Sequence, residues 1–419
     1  MNYRIYPPEE IVEAAVAVPL SKSVSARALI IEAISRGAVV AGDTALCRDT
    51  EAIRAALSAS LQGRVDVADS GTALRFLTAY FATTEGAEIE LGGSERLCRR
   101  PIGPLVEALR ALGASIEYMG EAGYAPLKIH GRKLQGGAVA IDATVSSQFV
   151  SALLMTAPTM ADGLRLQLDG DAVSQSYIRL TMSMMERAGV ECDITPDGIT
   201  VAPGEYRCCR LEGERDWSAA TFWYEAVAVT SGFITVEGLA DGSRQPDAAA
   251  ADIFGRLGVT TDFEETPGSA ELAGSPDVDP RMNICLADNP DMAPALAVTC
   301  AMIGVPFRFT GLSTLPANEC DRIAALSEEW LKIGVTTEST PDSLTWEGRR
   351  MPFAELPRFS AHGDHRIAMA LAFVAAYIPG IVIEDAEVVE KSYPDFWDEL
   401  QKCGFTIEDA DTEPNDTEY

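Results

Sequence analysis

The chain has 419 residues, 63 of them acidic against 33 Lys and Arg, and a formal net charge of −30. That length exceeds one small core and suits two domains of about 200 residues. A composition of 47% hydrophobic and 23% charged residues is ordinary for a globular protein and excludes collagen-like, disordered and disulfide-scaffold chains. So acidic a chain lacks the basic surface that nucleic acid or an anionic membrane demands, and neither is expected as a partner.

In chain order, Met1-Asn2-Tyr3-Arg4 runs into Pro7-Pro8 and two acids and does not read as a signal peptide. Short polar clusters then open one apolar helix after another. They begin at Ser21-Lys22-Ser23-Val24-Ser25-Ala26-Arg27, Asp69-Ser70-Gly71-Thr72-Ala73-Leu74-Arg75, Ser146-Ser147-Gln148 and Ser174-Gln175-Ser176-Tyr177. The second half has Asp216-Trp217-Ser218, Asp291-Met292-Ala293-Pro294, Asn318-Glu319-Cys320-Asp321-Arg322 and Gly363-Asp364-His365-Arg366. Each is in the first place an N-cap signature. Trp217 and Tyr224 read as core residues. The longest apolar run, Ile367 to Ile383, contains Pro379-Gly380 and reads as a buried helix, a turn and a strand. The stretch from Glu408 to Tyr419 holds six acids and reads as a solvated tail without fixed structure.

One phrase recurs: an amphipathic helix ends in Gly and a β-like run follows. The glycines are Gly113, Gly189, Gly258, Gly334 and Gly404, separated by 76, 69, 76 and 70 residues. Each suits the left-handed position after a helix, and a degenerate first unit ends near Gly63. A fixed period implies repeated supersecondary units, about six of them here. Three per domain is the natural division, with a boundary in the charged stretch Cys208 to Asp216.

Lys22, Arg27, Arg75, Arg322 and Arg366 lie within a turn or two of helix starts. A cation there opposes the helix dipole, and an anionic ligand would offset that cost. The pattern points to a small substrate with several negative charges, bound in a locally positive cleft. The nine cysteines are scattered with no C-x-x-C, and three histidines are spread through the chain, so free thiols in a reducing cytosol are expected and no metal site. The usual nucleotide, hydrolase and zinc-protease motifs are missing.

The phrases SKSVSARALI, SGTALRFLTA, RRPIGPLVEALRALGA, VSSQFVSALLM, SQSYIRLT, DHRIAMALAF and KSYPDFWDEL run in order along nearly the whole chain. In these the chain resembles the enolpyruvyl transferase family, in the branch whose acceptor is shikimate 3-phosphate. The resemblance implies an α/β fold of two domains, an inside-out α/β barrel in which each domain has three βαβαββ-type repeats and the site lies in the interdomain cleft. By that resemblance residues 1–18 join 214–419 in one discontinuous domain, 19–213 form the other, and 408–419 are the tail. It implies transfer of the enolpyruvyl group of phosphoenolpyruvate to the 5-hydroxyl of shikimate 3-phosphate with release of phosphate, with no metal or organic cofactor, in a cytoplasmic monomer.

The resemblance also assigns roles. Lys22, Gly71, Arg100, Gln148, Arg322, Arg366 and Lys391 would hold phosphoenolpyruvate. Ser23, Arg27, Ser146, Ser147, Gln148, Ser174, Tyr177, Asp291, Thr314 and Asn318 would face shikimate 3-phosphate. Asp291 and Glu319, with Lys22, would carry the proton transfers and the charge of the reacting group. Arg96 matches a recurrent Arg near the cleft, and His365 would border the phosphoenolpyruvate site. Two phosphates and a carboxylate need dense positive charge, which Arg supplies bidentately.

Several positions depart from the family pattern. Asn318 stands where the family usually has Lys, a loss worth ~2–4 kcal/mol, or about 10²–10³ in rate, if nothing replaces it. Ala26 stands for Asn, Asp69-Ser70 for Asn-Ala, and Thr314 for a residue that is often Asn. Asp69 adds a negative charge beside the expected phosphate site and needs a partner. The alternatives are an enolpyruvyl transferase with another acceptor, or a phosphometabolite-binding homologue impaired by Asn318.

Overall fold

A computed structural model describes residues 1–170, 174–195, 198–264 and 268–411. The chain divides into two compact units. Unit 1 comprises Met1–Pro19, Arg215–Ser243 and Asp247–Tyr419, and unit 2 comprises Leu20–Glu214 and Arg244–Pro246.

Five four-stranded sheets repeat one plan. Two strands joined through a helix pair in parallel, and after a second helix two further strands add antiparallel to the second. In unit 2, Gln62–Asp66 lies beside Glu88–Gly92, then Leu127–His130, then Ser115–Tyr118. The next sheet places Gly137–Asp142, Leu164–Asp169, Gly198–Val201 and Cys192–Thr195 in the same order. The third is reduced to parallel Val39–Ala41 and Cys209–Leu211.

Unit 1 has three full copies. Met282–Cys285, Phe307–Thr310, Ser343–Trp346 and Glu338–Thr340 form one. The N-terminus completes the other two. Glu13–Ala17 pairs in parallel with Phe233–Glu237. Tyr3–Tyr6 lies between Ile381–Glu384 and Thr406–Asp409, antiparallel to both. The period near 73 is therefore a βαβαββ unit.

The repeat glycines all have positive φ, but not all in the same role. Gly113, Gly189 and Gly404 directly follow the capping residues Leu112, Ala188 and Cys403. Gly258 and Gly334 come one residue later, Gly258 at the irregularity that begins strand Leu257–Glu264. Gly63 ends no helix: helix Arg48–Ser58 stops earlier, and Gly63 lies inside strand Gln62–Asp66.

Each unit keeps its most apolar helices inside and its sheets outside. Helix Ala293–Ile303 (APALAVTCAMI) has no charged residue and hence no polar face to show to water, and Ile303 is its one residue that is not buried. Helix His365–Ala372 is buried throughout, and Trp217–Thr230 nearly so, Trp217 and Tyr224 among its core residues. In unit 2, Lys22–Ile34, Gly71–Thr83 and Ser147–Thr156 have the same character. The apolar run from Ile367 resolves as the end of helix His365–Ala372, a short 3₁₀ turn Phe373–Ala376, and strand Ile381–Glu384. Among the described residues no helix is long and apolar enough to cross a membrane. The expected tail starts too early, because Glu408 and Asp409 belong to the strand paired with Tyr3–Tyr6. Residues 412–419 lie outside the described residues.

Candidate active site

The polar clusters do cap helices. Ser21 accepts from Val24 N, Ser70 from Ala73 N, Ser146 from Gln148 N, Asp216 from Ala219 N, Asp321 from Ala324 N and Asp364 from Arg366 N. Ser174 departs from this: it is buried, left-handed at φ 51°, and makes no side-chain cap bond. Asp291 caps no helix either. It sits in a 3₁₀ turn, Pro290–Met292, ahead of helix Ala293–Ile303. Glu319 precedes the cap Asp321 and so lies just outside helix Arg322–Leu331 and not in its first turn.

In unit 1 the expected residues gather around one guanidinium. Arg322, the first residue of its helix and 1% exposed, donates to Asp291 Oδ1 at 2.6 Å, to Glu319 Oε2 at 3.0 Å and to Asp364 Oδ2 at 2.7 Å. Lys391 holds the other Glu319 oxygen at 2.7 Å, and Arg366 reaches Asp291 Oδ2 at 3.2 Å. Three cations thus meet three carboxylates. The cost of placing cations at helix starts, expected to be offset by a ligand, is already offset here by the protein's own acids. Burial pulls the Asp291 carboxyl up, but Arg366 and Arg322 together pull further and hold it below the ordinary range. Burial likewise opposes the charge on Arg322, and Asp364, Asp291 and Glu319 outweigh it, raising its pKa well above normal.

Asp247, in the 3₁₀ turn Pro246–Ala249, belongs to this neighbourhood. It is 1% exposed and accepts from the Ser218 hydroxyl. Its other oxygen has no partner among the described residues. Burial lifts its carboxyl to about 6, with Arg366 pulling down and Asp291 and Asp216 pushing up. Thr314 and Asn318 flank the cluster along the chain. The Thr314 hydroxyl is buried without a partner among the described residues, and Asn318 is half-buried.

Unit 2 is built differently. Arg27, 2% exposed, donates to Thr181 Oγ1 at 2.7 Å, Ser151 Oγ at 3.3 Å, Ser23 O at 2.9 Å and Tyr177 O at 3.4 Å. It also lies over the rings of Phe76 and Tyr177. All these partners are neutral, and burial lowers its pKa to about 10. On the facing helix, Gln148 accepts from Arg75 at 2.6 Å and donates to Thr72 at 3.2 Å. Ser147, beside it, is buried. Gly71 opens helix Gly71–Thr83 under Arg100: a Cβ there would lie 2.7 Å from Arg100 Nη1, so only Gly lets the guanidinium come this close. Lys22 meets Asp49 at 3.2 Å. The extra charge of Asp69 is matched by Arg96 at 3.4 Å and by the Ser94 hydroxyl.

Sequence reasoning missed Asp364, Asp49, Ser151, Thr181 and Asp247 as functional neighbours. Asp364 stood in a quoted cluster but read only as a cap, and it is both cap and Arg322 ligand. Asp49 lies in the first turn of helix Arg48–Ser58, and nothing local ties it to Lys22. His365 is buried beside Asp364, with Nδ1 at 3.8 Å from Oδ1.

Two units of βαβαββ repeats, with cations and carboxylates at the starts of buried helices, define a class of group-transfer protein for small anions. Residues 58–400 match the family described as EPSP synthase (3-phosphoshikimate 1-carboxyvinyltransferase). A 3-phosphoshikimate 1-carboxyvinyltransferase of Bacteroides fragilis is 42% identical over 410 residues, covering 97% of this chain and 99% of that one. One from Methanoculleus marisnigri is 34% identical over 418 residues, covering 93% and 96%. The solved EPSP synthase of Acinetobacter baumannii superposes with a TM-score of 0.75 at 20% identity, over 97% of this chain and all of that one, which is a likeness of fold. The chain belongs to the EPSP synthase family and is a transferase.

Proposed function

We propose that this chain transfers the enolpyruvyl group of phosphoenolpyruvate to the 5-hydroxyl of shikimate 3-phosphate and releases phosphate. The observation that carries the reading is the cluster on Arg322. One buried guanidinium orients two carboxylates, Asp291 and Glu319, that two further cations also hold.

Arg27, with neutral partners only, takes the phosphate of shikimate 3-phosphate together with Ser23, Ser146, Ser147, Ser174 and Tyr177. Lys22, Gly71, Arg100 and Gln148 in unit 2, and Arg322, Arg366 and Lys391 in unit 1, take phosphoenolpyruvate. When its anionic groups engage Arg322 and Arg366, they compete with Asp291 for the same N–H donors. Asp291 then loses part of what holds it ionised, and its affinity for a proton rises toward what a base accepting the 5-hydroxyl proton needs. Glu319, held by Lys391 and Arg322, is the partner carboxyl for the methylene carbon: when phosphoenolpyruvate draws those cations away it takes a proton from water and delivers that proton to the carbon. Thr314 and Asn318 lie next to these groups in the chain and face the acceptor.

The reading includes a monomer, since a net charge of −30 opposes self-association. It includes the cytoplasm, where nine free thiols remain reduced.

The test is phosphate release from phosphoenolpyruvate plus shikimate 3-phosphate. Robust turnover by the natural chain, abolished in Asp291→Ala, is the expected result. No turnover by the natural chain, with activity appearing in Asn318→Lys, would mean that the binding residues are kept and the standard reaction is not.

A further inference from the structure

Behind the anion cluster of unit 1 lies a second polar knot. Glu329, on helix Arg322–Leu331, is 0% exposed. Three donors converge on its carboxylate: Lys332 Nζ at 2.6 Å and Ser360 N at 3.0 Å on Oε2, and His362 Nε2 at 2.8 Å on Oε1. Lys332 also donates to Arg358 O at 2.8 Å. The carboxyl groups of Glu328 and Glu329 and the His362 ring come within ligating distance of one another. The Lys332 ammonium already occupies Glu329, so the arrangement is a clamp within the protein and not a cation site.

The clamp acts on a short loop. Ser360 ends strand Arg358–Ser360 and its hydroxyl accepts from His362 N at 3.1 Å. His362 is left-handed at φ 51°, a conformation that costs a non-glycine residue about 1 kcal/mol or more and persists only where its surroundings hold it. Asp364 N then donates to Ala361 O at 2.8 Å. Asp364 itself, 0% exposed, accepts from Arg322 Nε at 2.7 Å and Nη2 at 3.3 Å. Arg322 and Glu329 are seven residues apart, two turns along one helix and on one face of it. The two ends of that face therefore grip the two ends of the same loop, and the ring of contacts closes through Asp364.

We propose that Glu329 is a positioning residue for phosphoenolpyruvate. By fixing residues 360–364 it fixes Asp364, and through Asp364 the plane and depth of the Arg322 guanidinium. This rests on the assignment of Arg322 to phosphoenolpyruvate. Glu329→Gln keeps the shape of the side chain but removes the charge that holds Lys332, and its N–H₂ faces either the Lys332 and Ser360 donors or His362 Nε2, which must then change tautomer to accept, so the loop is held less firmly. The effect is directional. Arg322 belongs to unit 1, and the Arg27 cluster that would hold shikimate 3-phosphate belongs to unit 2.

The experiment is steady-state kinetics on the full chain with Glu329→Gln, His362→Ala, the double variant, and Arg322→Lys as reference, each with a thermal melt and a shikimate 3-phosphate affinity measured without phosphoenolpyruvate. The expected result for Glu329→Gln is a fall of about tenfold in kcat/KM for phosphoenolpyruvate, with shikimate 3-phosphate affinity within about twofold. His362→Ala moves the same way by a smaller factor. The double variant falls short of the product of the two, because both act through one loop. If Glu329→Gln does not fold, His362→Ala, which leaves Glu329 paired with Lys332, carries the test alone. Folded variants with the natural kcat/KM for phosphoenolpyruvate overturn the proposal, as does a loss shared equally by both substrates and tracking the unfolded fraction. If Arg322→Lys leaves phosphoenolpyruvate kinetics unchanged, the assignment beneath falls and the proposal with it. A loss in Arg322→Lys without one in Glu329→Gln overturns the positioning role alone.

Discussion

Arg27 and Arg322 are both buried near the start of a helix, Arg322 as the first residue of Arg322–Leu331 and Arg27 in the second turn of Lys22–Ile34, and their surroundings are opposite. Arg322 is enclosed by three carboxylates and Arg27 by hydroxyls, carbonyls and rings. Burial opposes charge at both sites. At Arg322 the acids more than repay it, and at Arg27 nothing ionic does. A buried cation with neutral partners keeps its charge in reserve for a ligand. A buried cation among acids orients those acids. On the proposed reading the contrast separates a docking site for a phosphate from a scaffold for proton transfer, although both use a buried Arg within the first two turns of a helix.

Substitution at Arg322 tests that difference most severely. Arg322→Met leaves three carboxylates without their common donor. It is expected to cost ~3–5 kcal/mol of stability and at least ~10³ in turnover, read by denaturant melts and phosphate release. Arg27→Met replaces an uncompensated buried charge with an apolar chain of similar length. Stability is expected to hold or rise, while affinity for shikimate 3-phosphate falls about 10²-fold. If Arg27→Met destabilises as much as Arg322→Met, the contrast is wrong.

Asp247 supplies a test by pH. Its folded carboxyl lies near 6, raised first by burial, against an ordinary 3.8. A raised carboxyl favours the folded state below about 4, and that contribution is lost as pH rises through about 6. The gap corresponds to roughly 3 kcal/mol. Asp247→Asn should therefore gain stability over the natural chain between pH 4 and 6 and keep the gain above it. Glu225, fully buried and also pushed up by burial, acts with the same sign in both proteins, so their difference isolates Asp247. The smallest effect is expected from Gly71→Ala. The added Cβ would lie 2.7 Å from Arg100 Nη1, so the flexible end of Arg100 must shift to admit it. The KM for phosphoenolpyruvate should rise several-fold, with that for shikimate 3-phosphate unchanged.

Local chemistry made much of the fold legible. Ser21, Ser70 and Ser146 announced their helices because a cap and the apolar run after it are neighbours in sequence. The repeat was readable because a glycine after a helix needs a left-handed backbone, as at Gly113, Gly189 and Gly404. It blurred at Gly63, where the same conformation occurs inside a strand. Long-range pairing was not readable: no local pattern tells Asp49 that it meets Lys22, or Asp364 that it meets Arg322 as well as its own helix. The balance of charge was misjudged for the same reason. Cations at helix starts are visible one by one, whereas most of the acids that pair with them come from distant segments, and only the assembled cluster shows that the cations around Arg322 arrive already matched.

The strand Tyr3–Tyr6 imposes a schedule on biosynthesis. It leaves the ribosome well ahead of Ile381–Glu384 and Thr406–Asp409, the two strands with which it pairs. Residues 20–214 emerge as one continuous segment with their own buried core and can finish folding while the rest is being translated. At about 5–20 residues per second the N-terminal strand then waits roughly 10–40 s more for its neighbours. During that interval its edges are exposed, and the nascent chain depends on its heavy negative charge, or on a chaperone, to keep them from pairing elsewhere.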